Sequence, residues 1–451
     1  MLATRRQGGD ECVVKWRHRW INRWNPVWVV IWFFVYSMTG CFAESESLDV
    51  LVVGAGAAGL YAGYELEKAG VSYRVLEASD RIGGRLGKLT GFADYPLDLG
   101  AQWLHGNKSI AADLCREHKI PYKWDTSSVR FWFEGAMVKR LPRKPFGLGE
   151  DASAPDVSLS EYAAAEGFGD EYGAILDGIA SESGAAPWDV SAKWAAVEGE
   201  QWSAGLRDFK FEDTYYDVVA NHIAPPVMDH VVLNSPVTAI DYSGAKVRVT
   251  TKGGAVYEAD RVIVAVPITV LKDGDIAFTP PLPEAKREAF QKLGMGPGMK
   301  VFLKFNEDFF GGYVIGGEVC AVYADETVGK KGDDHVMLAF IMGDQAAALG
   351  ALGSDEAVVE ALLEELDAMY EGEATKQFLD AKVINWTAEP YIRGAYSYPR
   401  VGAGRKVRAI AAAPVADRIF FAGEAMNQNG HPATVHGAME TGLEAAQAVL
   451  K

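Results

Sequence analysis

The sequence predicts an α/β protein organised around a Rossmann-like dinucleotide-binding domain whose strands come from separated stretches of chain. Three observations predict it. Asp49–Val53 is a short β-branched apolar run that leads into Gly54-Ala-Gly56-Ala-Ala58-Gly59, a full G-x-G-x-x-G in the strand-to-helix position. A stretch with helix-like segments from about 120 to 220 is followed, from His230, by a return to strand patterns. Finally, 451 residues, 49% hydrophobic and 23% charged, suffice for two bodies with cores of their own.

Residues 1–43 differ from the rest. A basic, Trp-rich segment precedes Pro26–Met38, whose uninterrupted apolar run of about a dozen residues is short for a membrane span. Basic flank, apolar core and the small residue Ala43 form the pattern of a secretory signal cleaved before Glu44. The expected location is therefore secreted or in the endomembrane lumen, with an uncleaved anchor as the alternative. Membrane contact is expected only through this segment. Thr39-Gly40-Cys41 also resembles, imperfectly, a bacterial lipoprotein box. The leader carries a balance of +4, which leaves −21 of the total −17 for the remainder. So acidic a body argues against nucleic acid and favours cationic partners. Cys12 and Cys41 fall in the leader. Cys115 and Cys320 remain, which excludes a disulfide framework and a CxxC metal pattern and leaves one bridge possible. No metal site is expected.

In the nucleotide unit, Gly54 allows the tight turn, Gly56 lets backbone approach a pyrophosphate, and Gly59 lets helix and strand pack closely. The helix runs to about Ala69 and stops at Gly70, a natural residue after a helix end. Its N-terminus faces the phosphate charge. A second strand, Ser72–Leu76, ends in Glu77, an acid placed to take ribose hydroxyls. Cofactor contacts are expected from Gly54, Gly56, Ala58, Gly59 and Glu77.

Glu77-Ala-Ser-Asp-Arg81-Ile-Gly83-Gly84-Arg85 adds two glycines for a second close backbone approach and two arginines, Arg81 and Arg85, to balance diphosphate charge. This stretch resembles the flavin-binding signature of the flavin-containing amine oxidases and their relatives, which bind FAD. Asp98-Leu-Gly100-Ala101-Gln102-Trp103-Leu-His105-Gly106 follows. Gly100 and Ala101 permit backbone to pass close to a flat ring. D-L-G-A-x-W-L-H-G resembles the flavin-contacting loop of polyamine oxidases, where the histidine matching His105 lies close to the substrate amine. Lysine-specific histone demethylases and monoamine oxidases differ at this loop.

Between 120 and 220, helix-like stretches (Leu159–Glu166, Glu171–Ile179) alternate with Gly/Ala/Pro-rich connections. The aromatic and acidic run Trp202–Tyr216 is expected as a partly buried helical layer, with a pocket lining as the alternative. Val231–Ile240 and Lys246–Thr251, the Gly253-Gly254 turn, then Val256–Glu258 and Ala259–Pro267 form a β block. By resemblance, Val237 gives backbone hydrogen bonds to the adenine. Lys300–Phe305 alternates as a strand, with Lys300 and Lys304 on one face. Lys300 matches the amine-oxidase lysine that holds a water against the flavin N5. Ser354–Tyr370 has helical apolar spacing through Val358, Leu362, Leu366 and Met369. Trp386, Pro390, Gly394 and Tyr396 match the family's W…P…G-x-Y-S pattern, in which Tyr396 stacks beside the amine near the flavin face. Ala395 stands where monoamine oxidases place the cysteine that bonds the flavin, so FAD is expected to be held non-covalently. Phe421-Ala-Gly423-Glu424 and Thr434-Val435-His436-Gly-Ala resemble the C-terminal flavin motif. There Glu424 faces the ribityl–pyrophosphate side, and backbone at Thr434 and Val435 lies near the isoalloxazine; His436 is given no catalytic role.

The resemblance spans nearly all of residues 48–450. It implies an FAD domain built from 44–125, 226–295 and 391–451, and a substrate domain, a mixed sheet flanked by helices, from 126–225 and 296–390. The implied reaction is oxidation of a C–N bond, the imine being hydrolysed and O₂ reduced to H₂O₂, with Lys300, His105 and Tyr396 as catalytic residues. The expected substrate is a small cationic amine of the spermine/spermidine type. The rivals are a flavin oxidase of another primary amine or amino acid, and a flavoprotein kept as a binding module. An L-amino acid oxidase wants an arginine in the loop holding Gln102, where none stands. A histone demethylase is expected to carry a long helical insertion and an extra N-terminal domain, for which the chain has no room. A silent module needs none of Lys300, Tyr396 and His105.

Overall fold

The computed structural model describes residues 47–145, 147 and 150–451. The expected leader, 1–43, lies outside the described residues. Among the described residues no helix is long and apolar enough to cross a membrane.

Two large sheets organise the protein. In the first, strand β1 (Ser47–Val53) runs parallel to β2 (Tyr73–Leu76) on one side and to β3 (Val256–Val264) on the other. Val50 to Val53 are all buried, so this run shows no polar alternation: both faces of the strand are covered. Helix α1 (Ala57–Ala69) connects β1 to β2 and ends on Gly70 at φ 69°, the left-handed turn glycine adopts without strain. The runs 256–258 and 259–267, read apart in the sequence, begin as one strand. The first part of β3 pairs antiparallel with Val247–Thr251, and the later part runs parallel to both β1 and Ile419–Phe421. This eight-stranded sheet therefore draws its strands from residues 47–76, 231–279 and 419–421.

The second sheet has seven strands, in the order Phe378–Asn385, β4 (Gly298–Phe305), His335–Met342, Val322–Asp325, Tyr313–Ile315, Val129–Phe133 and Ala136–Val138. It is mixed, because Tyr313–Ile315 and Val129–Phe133 run parallel while the other pairs are antiparallel. Alternation along β4 sends Val301, Leu303 and Phe305 to one face, where they share a core with Val358, Leu362, Leu366 and Met369 of the helix Asp355–Met369. Burying each such side chain stabilises the fold by about 1.5–3 kcal/mol. Lys300, Phe302 and Lys304 take the other face, against the Phe92–Trp103 loop. The pleat thus delivers Lys300 to the carbonyls of Asp98 and Gly100.

Two expectations need correction. Trp202–Tyr216 is not a helical layer: Asp208–Phe211 is a strand between Trp103–His105 and Tyr122–Trp124. Its period of two puts Phe209 and Phe211 into the core around α1, together with Tyr215, Val218 and Val219 of the following helix. The three strands form a small sheet of their own. The disulfide left possible above does not form either. Cys115 lies in the core of the first sheet and Cys320 in that of the second, both as buried thiols.

Candidate active site

The site begins at the β1–α1 turn. A Cβ on Gly54, at φ 103°, would stand 2.5 Å from the Ala265 carbonyl oxygen, and one on Gly59 would stand 1.8 Å from that of Gly54. These two glycines are packing requirements. Gly56 is different: a Cβ there would meet nothing nearer than Gly84 Cα at 4.0 Å, so the space above the turn is open. Gly56 caps α1 without a side-chain hydrogen bond and with no acid in the first turn, which leaves the amides that follow it, Ala58 included, to an outside anion. A bridge between Gly56 and Gly83 lays the second glycine pair alongside. Open cradle, helix terminus and absent acid fit the diphosphate of a dinucleotide such as FAD.

Glu77 is buried at the end of β2. It accepts from Ala55 N (2.7 Å), Ser79 N (2.9 Å) and Ser79 Oγ (2.7 Å), which ties the turn to the strand. Val237, in the same sheet, packs with Val53 and Leu76. Both arginines of the second glycine pair are held by protein groups. Arg81 donates to the carbonyls of Ile82, Gly84 and Leu86 and so shapes the glycine loop. Arg85 donates to Glu424 Oε1 (2.9 Å) and to the Ala395 carbonyl (2.8 Å). Burial pushes the Glu424 carboxyl up, but Arg85 and Arg408 outweigh it and hold it below its ordinary value. Glu424 also takes Ser397 Oγ (2.6 Å) and Ala433 N (2.9 Å), fixing the entry to α2 (Val435–Val449). Thr434 caps that helix through Gly437 N (2.9 Å), and Gly423 donates to Thr441 Oγ1 (2.9 Å). Gly442 lets α2 cross α1 closely, since a Cβ there would stand 2.2 Å from the Ala58 carbonyl oxygen.

The loop 98–105 sits between the sheets. A Cβ on Gly100 would meet the Arg85 carbonyl oxygen at 1.8 Å and the Trp386 ring at 3.1 Å. Ala101 N donates to that Arg85 carbonyl (3.3 Å), and Trp386 Nε1 anchors the loop at the Leu99 carbonyl (2.9 Å). Trp103 Nε1 donates to Tyr313 Oη (3.1 Å). Lys300, 2% exposed, donates to the carbonyls of Asp98 and Gly100 (2.8 Å each) and to Gln102 Oε1. An ammonium has three N–H donors, and these three protein oxygens stand around it. Burial lowers the Lys300 pKa while Glu326 and Asp98 pull it back up.

His105 Nδ1 pairs with Asp208 Oδ1 at 2.8 Å. Its ring meets the edge of Trp202, which in turn lies against His431 and His436. His436 is 1% exposed, and burial, His431 and His105 push its pKa down to about 3, so it stays neutral. Tyr396 Oη donates to the Ser181 carbonyl (2.5 Å), and its ring lies over Gly184. Beside it stands Glu182, which lines a cleft, reached by solvent yet crowded by protein, and whose carboxylate has no hydrogen bond or ion pair among the described residues. Burial raises its carboxyl, Asp208 raises it further and His105 lowers it. Lys300, Gly100, Gln102, Trp103 and Trp386 form one group, and Tyr396, Ala395, Arg85 and Glu424 another, joined through the Arg85 carbonyl that accepts from Ala101 N. His105 lies near the first through the Trp103 ring and is coupled to the second through the charge of Glu182. Glu182 left no signal in the sequence, whereas Asp208 and Trp202 lie in the run Trp202–Tyr216, for which a pocket lining was the alternative.

The sequence profile described as "Flavin containing amine oxidoreductase" matches residues 57–145 and 198–450. Polyamine oxidase 2 of Arabidopsis thaliana is 30% identical over 455 residues, covering 90% of each chain. Lysine-specific histone demethylase 2 of Homo sapiens is 29% identical over 444 residues, but this chain spans only 53% of its length. Identity therefore does not rank polyamine oxidases above demethylases. Putrescine oxidase bound to putrescine superposes with a TM-score of 0.77 at 23% identity (90% and 99% covered), and cyclohexylamine oxidase from Brevibacterium oxydans with 0.76 at 20% (89% and 98%). Both show the same fold. With a dinucleotide cradle, the closing C-terminal helix and a family profile that covers most of the sequence, the chain belongs to the flavin-containing amine oxidoreductases, whose cofactor is FAD.

Proposed function

We propose that this chain is a polyamine oxidase: a spermine- or spermidine-type amine, O₂ and water give an aldehyde, a smaller amine and H₂O₂. The observation that carries the reading is Glu182, an unpartnered carboxylate beside Tyr396, with Asp208 and His105 in electrostatic reach. The group this arrangement lacks is a cation. A polyamine supplies one, because its reacting nitrogen is neutral while a distal nitrogen stays protonated. Glu182 and Asp208 hold the distal ammonium, His105 orients the chain of methylenes, and Tyr396, Trp103 and Trp202 line its path with aromatic faces that attract cations and exclude water. FAD, when bound, is the two-electron acceptor. It is held without a covalent bond, because the Ala395 methyl offers no atom to the flavin. Acid precipitation should leave the yellow colour in the supernatant; flavin in the pellet would overturn this.

The substrate test compares kcat/KM for spermine, spermidine, N-acetylated spermine, benzylamine and an L-amino acid at two salt concentrations. Polyamines should win, and their advantage should fall with salt as the Debye length shrinks from about 30 Å at 0.01 M to about 10 Å at 0.1 M. Glu182→Gln should raise KM for spermidine about tenfold, the loss of one exposed charge contact of about 1.4 kcal/mol, and leave benzylamine unchanged. If benzylamine or the amino acid wins, or salt has no effect, the polyamine reading fails and the family assignment stands alone.

A further inference from the structure

Behind Lys300 lies a buried polar cluster that the oxidation chemistry does not use. Gln102 and Glu326 are each 2% exposed and Lys210 3%. Gln102 Nε2 donates to Glu326 Oε1 at 2.6 Å, and Lys210 Nζ donates to the same oxygen at 3.3 Å and to the Asp325 carbonyl at 3.0 Å. Glu326 N donates to the Val336 carbonyl, which ties the residue to the second sheet. Lys210 comes from the unexpected strand Asp208–Phe211, where alternation turns it away from Phe209 and Phe211.

An amide has one accepting and one donating end, while a carboxylate only accepts. With Glu326 ionised, the NH₂ of Gln102 must face Glu326 and its carbonyl must face Lys300. That carbonyl is the third acceptor around the ammonium, after those of Asp98 and Gly100. Turned around, the amide would aim N–H at N–H, an arrangement that only a neutral Lys300 amine tolerates. Lys210 places its ammonium on the same carboxylate oxygen.

We infer that Glu326, paired with Lys210, is a positioning residue for Lys300: it orients the Gln102 amide so that the carbonyl completes the ammonium's set of acceptors. The other titratable groups facing this cluster among the described residues are Asp98, which accepts from Tyr215 N, Lys330, which donates to the carbonyls of Glu212 and Asp213, Asp125, which accepts from Tyr313 Oη, and the phenols of Tyr313 and Tyr95. None of them hydrogen-bonds to the Gln102 amide, so none sets its direction. Only the kinetic arm of the test rests on Lys300 serving turnover.

The experiment follows the proton on Lys300 directly. Holoenzyme labelled with ¹³C at lysine Cε is titrated by NMR, the Lys300 resonance being identified by its loss in Lys300→Met. Glu326→Gln should lower the Lys300 midpoint by about one pH unit or more, a tenfold loss of proton affinity. Gln102→Met, which removes both amide ends at similar volume, should do the same and serves if Glu326→Gln does not fold. In the double variant the midpoint should match Gln102→Met alone, because Glu326 acts through the amide. An unmoved midpoint in the single variants, or full additivity in the double one, overturns the inference. In the kinetic arm, the pH profile of kcat should move with the midpoint while KM for the amine holds. If the resonance moves and the kcat profile does not, the positioning role stands and the part given to Lys300 in turnover falls.

Discussion

Gly56→Ala should give a folded protein that holds FAD about ten- to a hundredfold more weakly. At φ −74° and ψ −177° the backbone of Gly56 suits alanine without strain. The added methyl would have Gly84 Cα, at 4.0 Å, as its nearest neighbour, an ordinary contact. The FAD-free protein should therefore melt within about 0.5 kcal/mol of the parent. The methyl would, however, fill the open space over the first turn of α1, where a diphosphate has to approach the amides. Overpacking a close-fitting contact costs about 1–3 kcal/mol, which sets the expected loss of affinity. Gly59→Ala is the contrasting variant. Its methyl would lie 1.8 Å from the Gly54 carbonyl oxygen, so α1 must move and the melting temperature should fall along with affinity. FAD titration by fluorescence and thermal melts of the FAD-free proteins measure both. A Gly56→Ala protein that melts early, or binds FAD as tightly as the parent, would remove Gly56 from the cradle.

What the sequence made legible was local. The G-x-G-x-x-G turn, Gly70 after α1, the alternation of β4 and the spacing of Val358, Leu362, Leu366 and Met369 all show their period within one element, and the structure places them accordingly. The return of strands after residue 230 was legible too, because β-branched runs and a Gly-Gly turn mark it.

What stayed hidden was set by partners far away in the chain. Asp208–Phe211 is too short for its period to outweigh the acidic, aromatic composition around it, and it becomes a strand because Trp103–His105 and Tyr122–Trp124 flank it. Glu326 lies 224 positions from Gln102 and 116 from Lys210. Nothing near Glu326 in sequence tells it from a solvated acid. The partner of Arg85 was hidden for the same reason: Glu424, to which it donates, lies 339 positions away. Charge pairing has no periodicity, so a sequence shows which groups are available and only the fold shows which of them meet.

Lys300→Met should leave FAD bound and slow turnover at least tenfold, a barrier increase of about 1.4 kcal/mol or more. Methionine fills similar space without an N–H, so the carbonyls of Asp98 and Gly100 and the Gln102 amide lose their common donor. The loop has other anchors: Trp386 Nε1 on the Leu99 carbonyl (2.9 Å), Leu99 N on the Gly87 carbonyl (3.0 Å) and Tyr215 N on Asp98 Oδ1 (2.8 Å). These keep Gly100 and Ala101 in place, which is why the colour should survive when turnover does not. A stability signature should accompany the kinetic one. Burial raises the Asp98 carboxyl above its ordinary value of 3.8, while Lys330 and Lys300 lower it, so removing Lys300 raises it further. A carboxyl with a raised folded pKa contributes stability that is present below the unfolded value and lost as pH rises through the folded one. The variant should therefore melt progressively earlier than the parent as pH climbs above the ordinary carboxylate range, with the two closest at acid pH. Steady-state turnover, flavin absorbance and melts across pH measure all three effects. Unchanged turnover would reduce Lys300 to a clasp on the loop, and loss of flavin would show that the other anchors cannot hold Gly100 without it.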